Sequence, residues 1–292
     1  MNDIYLKSYA KINLSLDVLK KRKDGYHNID TIFQRINLFD ELDIKLTDKE
    51  DCIILSEKPL SVEKSENLIY KAWQALKDYR KEKTSGVIVK LTKNIPLSAG
   101  LAGGSSNAAQ MLLGLKKLWN LNITDKELKD IATGIGSDVP YFLLNEPTVR
   151  GTETGNVFDT LSPFTDRNLL LVNTGKKVSS AYVYGKVAIS DKSGIDTVIE
   201  ILKKSYDKNN LLLLRNKVYN VMEDVTFKIY PEIFEIKKEL LNLGASFSLM
   251  SGSGPSVFGF FDLKDDEDEE KYEKAYRYYK SIYENVFKCK TF

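Results

Sequence analysis

Strands and helices intermixed, an α+β protein with length enough for two domains, is what the sequence predicts, and three observations carry it. Near the N-terminus apolar residues alternate with polar ones at Leu14, Leu16 and Val18, the period of a half-buried strand. Further on they recur at three- and four-residue spacing at Ala108, Ala109, Leu112, Leu115 and Trp119, the period of a helix. The 292 residues also exceed what a single core usually organises.

In chain order, the alternation at Leu14–Val18 continues through Ile32–Leu38 and Leu42–Leu46, which predicts an early antiparallel sheet turning near Lys23–Gly25. Asn67–Leu76 reads as a helix with Leu68, Ala72, Ala75 and Leu76 on one side. A strand-like run, Val87–Leu91, leads into a glycine-rich turn and the helix of Ala108 to Trp119. Thr124-Asp125-Lys126-Glu127 is a capping-box pattern that opens another helix, ended by Gly134–Pro140. Glu153–Asn168 is polar and irregular and reads as a boundary between domains. Helical stretches follow at Thr197–Tyr206 and Pro231–Leu243, with Gly244 placed to close the second. The apolar runs Ala245–Met250 and Val257–Phe261 flank Ser251-Gly252-Ser253-Gly254-Pro255-Ser256. The acidic run Asp262–Glu270 reads as a solvated loop before a last helix with Tyr272, Ala275, Tyr279, Ile282 and Tyr283 as its apolar face.

Composition narrows the class. Hydrophobic content of 42% with 29% charged residues is that of a soluble globular protein. A net charge of +2 and dispersed basic residues argue against a nucleic-acid partner; Lys20–Lys23 is too short a basic run to make one. No apolar run reaches the length of a membrane span, and the polar N-terminus does not read as a signal peptide. Cys52 and Cys289 are the only cysteines and lie far apart, which suits a reducing, cytoplasmic setting. With one histidine, a zinc centre is not expected.

The most informative segment is Pro96 to Ala109, P-L-S-A-G-L-A-G-G-S-S-N-A-A. Gly100, Gly103 and Gly104 remove three β-carbons from a short turn, so its amides can close on a ligand. Ser105 and Ser106 stand where the helix is expected to begin, and amides at a helix N-terminus favour phosphate. The spacing is neither G-x-x-x-x-G-K-[ST] nor G-x-G-x-x-G. On these residues alone a plain glycine-rich connection stays open.

Two further segments, Lys11-Ile12-Asn13-Leu14 with Asp24-Gly25-Tyr26-His27, and Gly252–Ser256, complete a pattern with that turn. Taken together and in this order, the three resemble the GHMP kinase superfamily from Lys7 to about Phe261. The K-I-N-L…D-G-Y-H opening and Gly136-Ser137-Asp138-Val139-Pro140 narrow the resemblance. They point to the members that phosphorylate the 2-hydroxyl of 4-(cytidine 5′-diphospho)-2-C-methyl-D-erythritol, on the non-mevalonate route to isoprenoid precursors. The resemblance implies two α+β domains with an active-site cleft between them. Residues 1–155 would be the ATP-binding domain with the phosphate loop, and 156–292 a domain completing the substrate cleft.

It also implies roles. ATP, with Mg²⁺, would lie on Pro96, Gly100, Leu101, Ala102, Gly103, Gly104, Ser105 and Ser106, with its adenine beside Asn67, Leu68 and Ile69 and near Lys93. Asp138 would take the proton of the attacking hydroxyl or orient it, and Lys11 would be its cationic partner. Asn13, on the same strand face as Lys11, would hydrogen-bond the erythritol hydroxyls. Tyr26 and His27 would meet the cytosine, with Tyr184 a second stacking ring and the adjacent Tyr182 its competitor. The local sequence equally allows Asp138 as a turn or capping aspartate and Lys11 as a snorkelling surface lysine. Ala102 departs from the glycine many members have there, and no obvious Glu holds the metal, whose ligands stay unassigned. The partners implied are small molecules, ATP and a cytidine diphosphate sugar alcohol, and the assembly a monomer or weak dimer. A sister kinase with another alcohol, or a non-catalytic nucleotide-binding relative, are the alternatives; retention of both Lys11 and Asp138 speaks against the second.

Overall fold

A computed structural model of the chain describes residues 2–59, 62–80, 85–190 and 192–292. Its elements begin with β1 (Asp3–Lys21), β2 (His27–Thr47), β3 (Cys52–Ser56), α1 (Leu68–Arg80), β4 (Gly86–Thr92), α2 (Gly103–Leu118) and α3 (Asp125–Ile135). They continue with β5 (Thr148–Thr152), β6 (Val157–Thr160), β7 (Asn168–Asn173), α4 (Ser180–Tyr184), α5 (Ile195–Asp207) and α6 (Glu223–Ile229). The last are α7 (Pro231–Asn242), β8 (Phe247–Met250), β9 (Ser256–Phe261), α8 (Asp266–Lys280) and β10 (Asn285–Lys290). Contacts group the chain into two units that are not contiguous in sequence. One holds Met1–Ala10, Leu38–Leu97 and Ala102–Asn145; the other holds Lys11–Asn37, Ser98–Leu101 and Glu146–Phe292. Contact thus divides the chain differently from a single cut between 155 and 156, because β1 and β2 contribute residues to both units.

In the first unit, Glu41–Thr47 of β2 pairs antiparallel with β4, and β4 pairs parallel with β3. Strands β2 and β4 bury Leu42, Ile44, Val87, Val89 and Leu91, and the helices of this unit bury Trp73, Leu76, Leu112, Leu115 and Ala132. Gly114 lets α2 approach the strands: a Cβ there would stand 2.9 Å from Ile44 Cδ1 and 3.0 Å from Leu6 Cδ1. Helix α1 buries Ile69, Ala72, Trp73 and Leu76. The face is thus rotated from the expected Leu68 and Ala75, because Trp73 contributes the largest apolar surface. The capping box at Thr124 forms as expected, with Thr124 accepting from the Glu127 amide.

In the second unit, Thr31–Gln34 of β2 pairs antiparallel with β5, and β5 with β6. A second sheet runs β10-β7-β9-β8, all antiparallel. Its strand β9 is buried along its whole length. The polar 153–168 segment holds β6, whose largely exposed edge position accounts for its polarity. The acidic run is a loop only as far as Asp265: Asp266 to Glu269 form the first turn of α8, where negative charge suits the helix dipole. Asp265 caps that turn, accepting from the Asp268 amide at 2.9 Å. Tyr272, Ala275 and Tyr279 are buried as expected, whereas Ile282 lies beyond the helix and is 53% exposed.

The largest departure is β1. The alternation of Leu14, Leu16 and Val18 suggests one wet face, yet every residue from Ala10 to Val18 is buried. Lys11, Asn13, Ser15 and Asp17 form a file of polar residues on one face, spaced by two. What covers part of it is distant in sequence: Leu16 N–H donates to Tyr219 O, and Val221 N–H to Leu16 O. Both cysteines are buried and free, and burial pushes each thiol up to about 12. Among the described residues no helix is long and apolar enough to cross a membrane.

Candidate active site

The glycine-rich turn is built by backbone conformation before any side chain matters. Ser98, Gly100 and Ala102 have φ of 51°, 74° and 53°, so left-handed residues alternate along it. Glycine is obligatory at 100, where a Cβ would sit 2.2 Å from Ser251 O. Ser251 Oγ in turn donates to Gly100 O at 2.9 Å, so the Ser251–Ser256 turn grips the carbonyl of the loop. That turn is itself held by Asn220, whose Nδ2 donates to Met250 O and Gly252 O at 2.8 and 2.7 Å, and by Thr226 Oγ1 on Ser253 O.

Helix α2 starts at Gly103, two residues before Ser105, and its N-cap Ala102 offers no side-chain cap. The amides of the first turn therefore have no intrahelical acceptor. Ser106 Oγ is fully buried and has no hydrogen-bond partner among the described residues. An orphaned buried hydroxyl beside uncapped amides costs stability unless a ligand completes it. Gly104 is exposed and Gly103 buried, and a Cβ at 103 would stand 2.9 Å from Ile95 Cγ2 and 3.2 Å from Lys93 Nζ.

Lys93 is a buried lysine. It is 8% exposed, with its ammonium 2.7 Å from Asp40 Oδ2 and 2.6 Å from Ile95 O, and burial lowers its pKa. Asp40 Oδ1 also accepts from the amides of Asn94 and Ile95, both at 2.8 Å, fixing the exit of β4 into the turn. Sequence reading missed Asp40. The signal was an acid in phase with the apolar Leu38, Leu42 and Ile44. Asn67 and Leu68 are half-buried and Ile69 fully buried, with Asn67 Oδ1 accepting from the Ile69 amide. A Cβ on Gly104 would meet Leu68 Cδ1 at 3.6 Å, which puts Leu68 at the start of α2. Pro96 is half-buried, Leu101 buried. Asp138 is half-buried in the turn after α3, between Gly136 and Pro140.

Lys11 is 5% exposed, which removes the snorkelling alternative. Its Nζ donates to Asn13 Oδ1 at 2.8 Å and lies 5.1 Å from the centre of the Phe33 ring. Asn13 is 2% exposed and donates through Nδ2 to Thr31 Oγ1 at 2.8 Å.

The hairpin between β1 and β2 presents Tyr26, 63% exposed. Arg22 organises it: its amide donates to Tyr26 O, and its guanidinium to Asp24, Asn28 and Glu153. His27 stacks on Tyr184, with ring centres 5.5 Å apart and planes 17° apart, while Tyr182 is 53% exposed. Of the two tyrosines, the structure brings Tyr184 to the histidine. Burial first, then the charge of Lys21, lowers the His27 pKa, which favours the neutral ring. No cluster of three or more His, Cys, Asp or Glu side chains able to hold a metal occurs among the described residues.

Comparison with known proteins gives a consistent picture. Residues 67–146 match the GHMP kinases N terminal domain, and 192–285 the GHMP kinases C terminal. The chain is 41% identical over 286 residues to the 4-diphosphocytidyl-2-C-methyl-D-erythritol kinase of Finegoldia magna, covering 98% of this chain and 99% of that one. It is 43% identical over 294 residues to the enzyme of the same name from Thermoanaerobacter pseudethanolicus, covering 100% and 97%. A crystal structure of 4-(cytidine 5′-diphospho)-2C-methyl-D-erythritol kinase superposes with a TM-score of 0.80 at 26% identity, covering 99% of each chain. A homoserine kinase from Cytophaga hutchinsonii shares the fold, with a TM-score of 0.70 at 17% identity over 99% and 93%.

Proposed function

The chain belongs to the GHMP kinases, in the family of the 4-diphosphocytidyl-2-C-methyl-D-erythritol kinases, and from that premise we propose the reaction and the residues that perform it. The enzyme transfers the γ-phosphoryl group of ATP to the 2-hydroxyl of 4-(cytidine 5′-diphospho)-2-C-methyl-D-erythritol. The observation that carries the substrate is full-length identity with relatives of that name. The unpartnered Ser106 hydroxyl at the uncapped start of α2 is what fits a polyphosphate.

Residues 1–155 supply the nucleotide side. Amides of Gly103, Gly104 and Ser105 donate to ATP phosphate oxygens, the Ser106 amide being held by Ala102 O, with Gly100, Leu101, Ala102 and Pro96 shaping the turn. Asn67, Leu68 and Ile69 border the adenine, and Lys93 adds positive charge under the turn. Mg²⁺ bound on the phosphates would supply charge neutralisation, and the Ser105 and Ser106 hydroxyls are the side chains that would hold it. The acceptor oxygen forms its bond to the γ-phosphorus as the bond to ADP breaks, and its proton passes to the Asp138 carboxylate. Lys11 supplies positive charge to the reacting oxygens. Asn13 faces the erythritol, and Tyr26, His27 and Tyr184 receive the cytosine, the neutral imidazole reading its polar edge. Residues 156–292 complete the substrate side. The enzyme works in the cytoplasm as a monomer or weak dimer, without nucleic-acid partners.

ATP consumption by purified protein with Mg²⁺ tests the reading. Turnover must require the cytidyl-methylerythritol substrate and not be supported by mevalonate, homoserine or galactose; turnover on one of these instead would overturn it. Replacing Asp138 by Asn should lower kcat by about 10²- to 10⁴-fold with little change in KM, the signature of a group that acts in the transition state.

A further inference from the structure

The polar file on β1 contains a chain of hydrogen bonds whose direction is fixed from one end. Ser15 contributes a backbone carbonyl, which can only accept, and Thr31 Oγ1 lies 2.7 Å from it. The Thr31 proton is therefore committed to Ser15 O, and the hydroxyl oxygen is left to accept. Asn13 meets it at 2.8 Å and so must turn its NH₂ group towards Thr31. Its carbonyl oxygen then faces the other way, onto the Lys11 ammonium at 2.8 Å, which can only donate. An amide has two ends that differ in hydrogen-bond sense but hardly in shape, and here the distant carbonyl and the lysine demand the same orientation.

Every member of the chain is buried: Lys11 is 5% exposed, Asn13 2%, Ser15 and Thr31 0%. Water is thus not at hand to replace a lost bond. Thr31 sits in the paired part of β2, opposite Gly151 of β5, and its branched side chain has little χ1 freedom there. Two residues on, Phe33 presents its ring to the same ammonium at 5.1 Å. Lys11 is accordingly held on one side by an oriented amide and on another by an aromatic face.

We infer that Thr31 is a positioning residue for Lys11, acting through the orientation of the Asn13 amide. It does not touch substrate; it sets where the lysine charge stands. This rests on the proposed role of Lys11 in phosphoryl transfer.

The test is a double-mutant cycle on the full-length enzyme. Thr31→Val keeps shape and removes the hydroxyl, leaving the Asn13 NH₂ group without the acceptor that anchors it. It should lower kcat on the order of 10- to 100-fold, with KM for both substrates moved less than about threefold. Thr31→Ser restores the hydroxyl and should return kcat to within about twofold of the parent. In a Lys11→Ala background, Thr31→Val should cost nothing further, because the group it positions is gone. A merely structural role would move the melting temperature instead and give additive losses in the double variant; either additive losses or an unchanged kcat for folded Thr31→Val overturns the inference while the role of Lys11 stands. Full kcat in Lys11→Ala alone sinks that role and the inference with it. If the added methyl of valine prevents folding, Thr31→Ala removes the hydroxyl without it, and the same outcomes apply.

Discussion

The turn from Ser98 to Ser106 and the polar face of β1 treat buried polar groups in opposite ways. In the turn, first-turn amides of α2 have no side-chain cap and the Ser106 hydroxyl is buried without a partner among the described residues. On β1, Ser15 Oγ donates to Tyr219 O at 2.8 Å and accepts from Tyr219 N at 3.3 Å, and Asp17 accepts from Ser193, Gly194 and Tyr219. A region whose polar atoms are spent internally is scaffold. A region that keeps them unspent is built for something the chain itself does not supply. Stability and activity should therefore separate when the two are cut.

The largest effect is expected where the turn is most confined. Gly100→Ala places a Cβ against Ser251 O in a left-handed backbone, and should destabilise the protein by about 3 kcal/mol or more. A denaturant midpoint reads this directly; a midpoint unchanged from the parent would mean that the loop can move away from the Ser251 turn.

The matched pair of buried serines sharpens the contrast. Ser15→Ala strands the Tyr219 N–H, while Tyr219 O keeps the Leu16 amide, and should cost about 1–2 kcal/mol with kcat nearly unchanged. Ser106→Ala removes a hydroxyl that has no partner and should stabilise the free protein by about 1 kcal/mol while weakening ATP use. Denaturant curves and ATP titrations on the two variants decide it. If Ser106→Ala destabilises, that hydroxyl is part of the scaffold after all.

The same contrast governs what could be read in advance. Three glycines and two serines in a row are conspicuous whatever surrounds them, so the turn and the start of α2 were legible. Lys11, Asn13, Ser15 and Asp17 alternating with Ile12, Leu14 and Leu16 look like an ordinary strand with a wet side. That this side is buried depends on Tyr219 to Val221, some 200 residues away, and no local pattern carries that. Thr31 and Asp40 were invisible for the same reason, since each matters only through a partner on another strand. The short edge strand β6 and the acidic first turn of α8 were misread because both are polar where polarity usually signals a loop. In one the reason is edge exposure, in the other the helix dipole.

The smallest effect tests the oddest residue of the turn. Ala102 caps α2 in the left-handed region, φ 53° and ψ 31°, where a Cβ costs about 1–2 kcal/mol. Replacing it with Gly would relieve that strain, but glycine also enlarges the conformational freedom of the unfolded chain, by roughly 0.5–1 kcal/mol. The two nearly cancel, so Ala102→Gly should shift stability by no more than about 0.5–1 kcal/mol, in the stabilising direction. Activity need not follow stability here. A freer turn presents its amides less rigidly, so KM for ATP should rise even as the protein becomes slightly harder to unfold. A lower KM would show that the alanine strains the turn away from its ligand, and would place residue 102 with the unspent groups of the turn, not with its frame.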